Sequence, residues 1–231
     1  MRIKKKGTNK RLVIAIVLVA ILAIAAAAIV FTYHKSSSSS PSKSALVGVQ
    51  VGDTFTYNIT GSCSNPVPSI DYPGFYQLNQ TEYYKVTVTG IEGTTVSLQT
   101  DWVFQNGTDA QQPETIDLAN GYTAGTFWGL YPTNLKVGDP IYPYNNTVPV
   151  NETIPQTYAT TTRQSDFYHV STTQYLSTDP TQSTERILYD QIWFDKQTGI
   201  LTGFDLIIEY NNPQLELEVI YVLISSTVWD V

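Results

Sequence analysis

The fold is decided near the C-terminus, where residues 187–223 have the sequence ILYDQIWFDKQTGILTGFDLIIEYNNPQLELEVIYVL. Apolar residues alternate with polar ones along most of this stretch, as they do in strands that bury one face. Turn residues at 196–199 and 211–213 divide the stretch into three segments. The pattern therefore predicts a meander of three long antiparallel strands, with Phe204 and Leu206 on the same face.

The last strand of this meander is apolar on both faces. Leu217 and Val219 belong to the alternating pattern, and Ile220, Val222 and Ile224 add apolar residues on the opposite face. A strand of this kind is typical of the middle of a sheet or of a face covered by another layer. We therefore expect the last strand to be central or covered.

Weaker strand patterns precede the meander. Residues 54–60 alternate in the same way, and residues 84–104 predict a hairpin with its turn at 90–93. Residues 157–175 are rich in Thr and Tyr and predict further strands. Residues 110–135 are less regular and predict a short helix or a loop.

An uninterrupted apolar run at residues 12–32 follows a basic segment at residues 1–11. About 21 residues at a rise of about 1.5 Å span roughly 30 Å, the thickness of the hydrocarbon core of a bilayer. Because basic flanks stay in the cytoplasm, the pattern predicts a single-pass transmembrane helix with a cytoplasmic N-terminus. Serine-rich residues 33–46 are the predicted linker to an extracellular domain at residues 47–231.

Two alternatives to a retained anchor stay open. The small residues at 25–28 would suit cleavage as a signal peptide, although the apolar run is long for one. Lys6 and Gly7 resemble the processing site of archaeal type IV pilins. In this chain, however, residues 8–11 separate the glycine from the apolar run, and the usual early glutamate is missing.

Charge and cysteine content exclude several classes of function. The formal net charge of −7 consists of +7 over residues 1–35 and −14 over the rest. Because binding to phosphates requires clustered Lys and Arg, nucleic acid is excluded as a partner of the outer domain. Cys63 is the only cysteine, so neither an intrachain disulfide nor a cysteine-based metal site can form.

Three motifs carry a resemblance to known proteins: NLKVGDPIY at residues 134–142, VNETIPQTYATTTR at 150–163 and IWFDKQTGIL at 192–201. Together they resemble a group of uncharacterised archaeal membrane-anchored surface proteins, which implies an anchored outer domain and no particular activity. The FDKQTGIL hairpin is also similar to one in lipoprotein-carrier-like domains, whose curved antiparallel sheet wraps an apolar cavity. That second likeness implies a fold and not a function.

The expected fold class is therefore mainly β, with α+β as the alternative. We expect an N-terminal transmembrane helix followed by one curved antiparallel β-sheet domain.

Five Asn-x-Thr sequons lie in the predicted outer domain, in turns or on polar strand faces. The Asn and Ser/Thr content of the chain would supply about two or three by chance. This excess and the extracellular location predict that some of them carry N-linked glycans. The acceptor asparagines are Asn58, Asn79, Asn106, Asn145 and Asn151.

Several aromatic residues are candidates for lining a ligand cavity or, in the simpler interpretation, for filling the core of the sheet. They are Trp102, Phe104, Trp128, Trp193 and Phe204. Asp190 and Asp195 near Trp193 faintly suggest a sugar site.

The sequence offers no recognisable catalytic constellation. His34 and His169 are the only histidines, so no histidine cluster can bind zinc, and no Gly-x-Ser-x-Gly motif is present. We expect a non-enzymatic domain without a cofactor that binds an apolar ligand or an envelope protein at the cell surface. A structural or pilin-like surface glycoprotein without a ligand cavity is the first alternative, and an unrecognised hydrolase is the second.

Overall fold

The computed structural model describes five segments of the chain: residues 47–64, 77–142, 145–176, 184–211 and 214–231. The predicted cytoplasmic tail, transmembrane helix and linker, at residues 1–46, lie outside these segments. Within them, no helix combines the length and the apolar character needed to cross a membrane.

The elements of the described segments are β-strands, as the mainly β prediction requires. They are β1 (Thr54–Ser64), β2 (Thr81–Glu92), β3 (Thr95–Phe104), β4 (Asp109–Asp117), β5 (Tyr122–Ala124), β6 (Pro140–Tyr142), β7 (Asn145–Pro149), β8 (Glu152–Tyr158), β9 (Thr161–Leu176), β10 (Thr184–Asp195), β11 (Leu201–Asn211) and β12 (Gln214–Ser226).

Ten of these strands form one antiparallel sheet in the order β5-β4-β3-β2-β1-β12-β11-β10-β9-β8, and β6 and β7 form a separate pair. The predicted C-terminal meander is present as β10, β11 and β12. Because β12 pairs with β1 as well as with β11, the last strand lies in the middle of the sheet. Its predicted central position is confirmed.

The two faces of the large sheet differ in burial. The covered face carries the apolar residues of the alternating pattern, such as Phe55, Tyr57 and Phe204, which keep 1% or less of their surface exposed. The open face carries the residues between them, which are half-buried or exposed. The period of two residues in the sequence therefore assigns most side chains to the correct face.

Residues 126–135 pack onto the covered face as irregular chain. The N–H of Tyr131 donates to the carbonyl of Gly199 at 2.9 Å, and the N–H of Leu201 donates to the carbonyl of Gly129 at 2.8 Å. The ring of Phe127 lies 6.0 Å from that of Tyr57. The aromatic cluster in this segment thus seals the sheet instead of forming a helix.

The structure contains a strand, β4, that the sequence pattern does not predict. Its covered-face positions include Ile116, but also Glu114, which is 2% exposed. A glutamate at a core position interrupts the apolar alternation, because such a position normally requires an apolar side chain. The strand is therefore invisible to a pattern search.

Candidate functional site

The five predicted aromatic residues do not converge on one place. Trp102 stacks on Phe104 with ring centroids 5.5 Å apart, and Trp128 meets Phe204 edge-on at 4.9 Å. These four residues lie on the covered side of the sheet. Trp193 alternates with the buried Ile192 and Phe194 of β10 and therefore lies on the open face.

Large aromatic side chains pack against one another on the covered face. Tyr57, Tyr131 and Phe194 are completely buried, and the rings of Tyr131 and Phe194 lie 4.6 Å apart. The hydroxyl of Tyr57 donates to the carbonyl of Leu201 at 2.9 Å, and burial raises the pKa of this hydroxyl. Around these rings the face is a packed core rather than an open cavity.

Glu114 joins the covering segment to the sheet. Its carboxylate accepts hydrogen bonds from the N–H of Thr126 at 2.5 Å, from the hydroxyl of Thr126 at 2.8 Å and from the N–H of Phe127 at 3.1 Å. A buried carboxylate with several donors is a satisfied structural group. We therefore assign Glu114 to the fold and not to a reaction.

The carboxylate of Asp195 also has a structural role. It is completely buried and forms an ion pair with Arg163 at 2.7 Å. It accepts further hydrogen bonds from the N–H and the hydroxyl of Thr198, both at 2.8 Å, which fix the turn after β10. Asp190, by contrast, lies buried on the covered face. Asp190 therefore lies on the face opposite Trp193, and the Asp195 carboxylate is already engaged by Arg163 and Thr198.

One straight row of residues crosses the open face over five strands. Asn58 of β1 is opposite Val222 of β12, which is opposite Gly203 of β11. Gly203 is opposite Trp193 of β10, which is opposite Phe167 of β9. Because neighbouring strands lie about 4.8 Å apart, the three steps from Asn58 to Trp193 cover about 14 Å.

The indole of Trp193 lies between Phe167 and Gly203. Its ring stacks on Phe167 with centroids 4.9 Å apart and an interplanar angle of 22°. On the other side, Gly203 has no side chain, and a Cβ placed there would lie 3.1 Å from Cε3 of Trp193. The indole therefore overhangs Gly203, and the space that the missing side chain leaves on the Val222 side, here called the Gly203 gap, is bounded by an indole and an aliphatic side chain.

Apolar side chains on β12 are exposed beside this gap. Val222 keeps 46% of its surface exposed and Ile224 keeps 48%. On the central strand of a large sheet, exposed apolar side chains of this kind indicate a surface where a ligand or another protein binds.

Polar side chains line a second row next to the gap. Asp205 of β11 is opposite Gln191 of β10, which is opposite His169 of β9. Atom Oδ1 of Asp205 is buried without a hydrogen-bond partner among the described residues. Burial and then the nearby charge of Glu218 raise the pKa of the Asp205 carboxyl. The carboxyl of Asp205, the amide of Gln191 and the imidazole of His169 thus form a polar row next to the row that contains Trp193.

The sequons differ in how their asparagines are used. Asn58 is exposed on the open face of β1, and Asn106 caps the turn between β3 and β4 by accepting from the N–H of Thr108 at 2.9 Å. The amide of Asn79 is bonded twice to the backbone of Gly61. Oδ1 of Asn151 accepts from the N–H of His169 at 2.6 Å. The side chain of Asn145 lies outside the described ones.

Sequence reasoning found Trp193 but missed Gly203, Asp205 and Gln191. Part of the signal is in the sequence, because the alternation that puts Phe204 and Leu206 on one face leaves Gly203 and Asp205 on the other. The pairing of these residues with β10 depends on the register set by the turn at 196–199 and on an irregularity between Trp193 and Phe194. Such an irregularity is not readable from the sequence pattern.

No group of three or more His, Cys, Asp or Glu side chains in the described segments could hold a metal ion. No protein-family model matches the chain, and comparison with curated proteins gives no significant match. The case for a function therefore depends on the site itself.

Proposed function

We propose that the chain is a membrane-anchored, extracytoplasmic binding domain without catalytic activity, and that it binds a saccharide on the open face of its sheet. The observation that carries the proposal is the Gly203 gap, where no side chain of β11 separates the Trp193 indole from Val222 and where Asp205, two residues further along β11, has an unpartnered Oδ1 among the described residues. The anchor is residues 12–32, the linker is residues 33–46, and the archaeal surface-protein resemblance supports the same location.

A saccharide suits the mixed chemistry of this site. One face of a sugar ring presents C–H groups, which an electron-rich aromatic face attracts, and its rim presents hydroxyl groups. The carboxyl of Asp205 and the amide of Gln191 offer the acceptors and donors that hydroxyl groups require. A few polar groups beside an aromatic surface are the usual composition of a small-molecule site.

The alternative of an apolar ligand inside a curved sheet has less support. It requires open space on the covered face, but Tyr57, Phe194 and Phe204 are packed there against one another and against residues 126–135. The open face therefore supports a binding role better than the covered face does. A protein partner that contacts Val222 and Ile224 is the competing occupant, and the test below separates the two.

The test uses the full chain, produced in a host that attaches no N-linked glycans and dissolved in a detergent without a sugar headgroup. Binding to a panel of neutral and charged oligosaccharides is followed by tryptophan fluorescence. We expect Trp193→Ala and Gly203→Val, which fills the gap, to weaken binding at least about tenfold, or about 1.4 kcal/mol.

Tyr122→Ala is the matched control, since Tyr122 is an exposed aromatic residue on the edge strand β5. It is expected to leave saccharide binding unchanged. The proposal fails if no saccharide binds or if Trp193→Ala binds saccharide as well as the parent chain does. It also fails if Trp193→Ala and Gly203→Val abolish binding of an envelope protein but leave saccharide binding unchanged.

A further inference from the structure

The exposed residues of the open face lie in line with a glycosylation sequon. Asn58 is exposed, begins an Asn-Ile-Thr sequon and is the register partner of Val222. Two strand steps, or about 10 Å, take the row from Asn58 to Gly203. An oligosaccharide attached at Asn58 would therefore begin next to Val222. In this row Val222 is the one side chain between Asn58 and the Gly203 gap, so the oligosaccharide has to pass only a valine to reach the gap.

We propose that the saccharide bound at the Gly203 gap is the chain's own N-linked glycan, attached at Asn58. This inference rests on the proposed saccharide-binding function and names the ligand of that same site. In the modification, Nδ2 of Asn58 loses a proton and bonds to the anomeric carbon of an oligosaccharide. The bond between that carbon and a lipid-linked phosphate carrier breaks, and the carrier leaves with the electron pair.

The glycan accounts for the exposure of Val222 and Ile224. Two β-branched residues with 46% and 48% exposure sit on the central strand of the sheet, and no described segment covers them. A sugar chain that leaves Asn58 along the row would cover Val222 with its C–H faces while its hydroxyl groups stay in water. Attachment to the same chain also raises the effective concentration of the sugar to the millimolar range, so even a weak site is filled.

Asn58 is better placed than Asn151, the other described sequon near this row. The N–H of Asn151 donates to the carbonyl of Phe167, so its glycan would approach from the β8 side. On that side the ring of Phe167 already covers the indole of Trp193 at 4.9 Å. The other side of the indole faces Gly203, from which the row leads through Val222 to Asn58.

The test compares the full chain purified from its native host with three variants made in the same host. Asn58→Gln and Thr60→Ala each remove the Asn58 sequon, and Asn106→Gln removes a sequon at the β3–β4 turn and serves as the control. Glycopeptide mapping measures occupancy at Asn58. Oxidative footprinting measures the accessibility of Val222, Ile224 and Trp193, and fluorescence titration measures affinity for added oligosaccharide.

We expect Asn58 to carry a glycan, and the three footprinted residues to be protected in the parent chain and in Asn106→Gln. Both variants that lack the Asn58 sequon are expected to lose this protection and to bind added oligosaccharide at least about tenfold more tightly than the parent. An unmodified Asn58, or a glycan that changes neither footprint nor affinity, overturns the inference while saccharide binding stands. If no variant binds added oligosaccharide, the proposed saccharide-binding function fails. The footprint of Val222 in the parent chain and in Asn58→Gln then still decides whether the Asn58 glycan covers Val222.

Discussion

Arg163 of β9 forms a two-pronged ion pair with Asp195 at the end of β10. Its Nε donates to Oδ2 at 2.7 Å and its Nη2 donates to Oδ1 at 2.9 Å, and the carboxylate is completely buried. The guanidinium also lies 4.3 Å from the centre of the Trp229 ring. One side chain thus joins a strand, a turn and the C-terminal segment.

Replacing Arg163 with Met is expected to destabilise the domain by about 3–5 kcal/mol, because it leaves the Asp195 charge buried without its partner. Lys85→Met is the matched control. Lys85 pairs with Asp101 at 3.6 Å and its side chain is 40% exposed, so its loss should cost less than about 1 kcal/mol. Urea denaturation of the two variants gives the comparison, and equal losses would contradict the structural role of the Arg163–Asp195 pair.

Gly199 and Gly107 have nearly the same backbone conformation, with φ of 75° and 77°, but different surroundings. A Cβ at Gly199 would lie 1.9 Å from the carbonyl oxygen of Tyr131, whereas nothing lies within 4 Å of a Cβ at Gly107. Gly107→Ala should therefore cost only the left-handed strain of about 1–2 kcal/mol. Gly199→Ala should cost at least about 2 kcal/mol more, because the covering segment must move. Thermal unfolding of both variants measures the difference, and similar melting temperatures would show that the Tyr131–Gly199 contact is not tight.

The meander could be predicted because its local signals agree with its tertiary role. The turn at 196–199 specifies the antiparallel pairing of β10 with β11, and the alternation in β11 and β12 agrees with their antiparallel pairing. The second apolar face of β12 indicates a central position. Strand β4 could not be predicted, since Glu114 is tolerated at a core position only through hydrogen bonds from Thr126 and Phe127. These donors lie 12 and 13 residues after Glu114, beyond the end of β4, so the alternation pattern of the strand does not contain them.

The candidate site was predictable only in part for a related reason. Trp193 stands out as a large aromatic residue in any sequence, but its neighbours Gly203 and Asp205 become neighbours through the register of β10 and β11. A shift of one residue would move Asp205 to the covered face. The aspartates closest to Trp193 in sequence, Asp190 and Asp195, lie on the covered side or in an ion pair instead.

Asp190 is expected to make the stability of the domain depend on pH. Burial raises the pKa of its carboxyl from 3.8 to about 7, and Oδ1 has no hydrogen-bond partner within the part of the chain that the structure describes. Its register partners, Val170 and Leu206, are apolar. Because the folded state prefers the neutral acid, the contribution of Asp190 to stability is greatest below about pH 4 and is lost as the pH rises to about 7.

Asp190→Asn removes the ionisation, so we expect it to stabilise the domain at pH 8 relative to the parent chain, by at most roughly 4 kcal/mol. At pH 4 the parent and the variant should differ little. Asp109→Asn removes an exposed carboxyl and controls for the loss of one negative charge. Unfolding curves between pH 4 and pH 8 provide the measurement, and a gain for Asp190→Asn that is equal at both ends would exclude ionisation as its cause.

Asn79 is expected to remain without a glycan even though it begins a sequon. Its Oδ1 accepts from the N–H of Gly61 at 2.9 Å, and its Nδ2 donates back to the carbonyl of Gly61 at 2.6 Å. This cyclic pair requires the amide hydrogen that lies on the same side as Oδ1. A glycan would convert the side chain into a secondary amide, which is planar and strongly prefers the trans form, with its remaining hydrogen on the opposite side.

Glycosylation of Asn79 and its pairing with Gly61 are therefore mutually exclusive. Asn79→Ala should cost about 1–3 kcal/mol, because it leaves the backbone groups of Gly61 without these partners. Glycopeptide mapping of the protein from its native host checks the first expectation. Asn106 is the comparison, because its side-chain hydrogen bonds to described residues use Oδ1 and leave Nδ2 available. High occupancy at Asn79 in folded protein would mean that β1 and the segment before β2 are joined at Gly61 in another way.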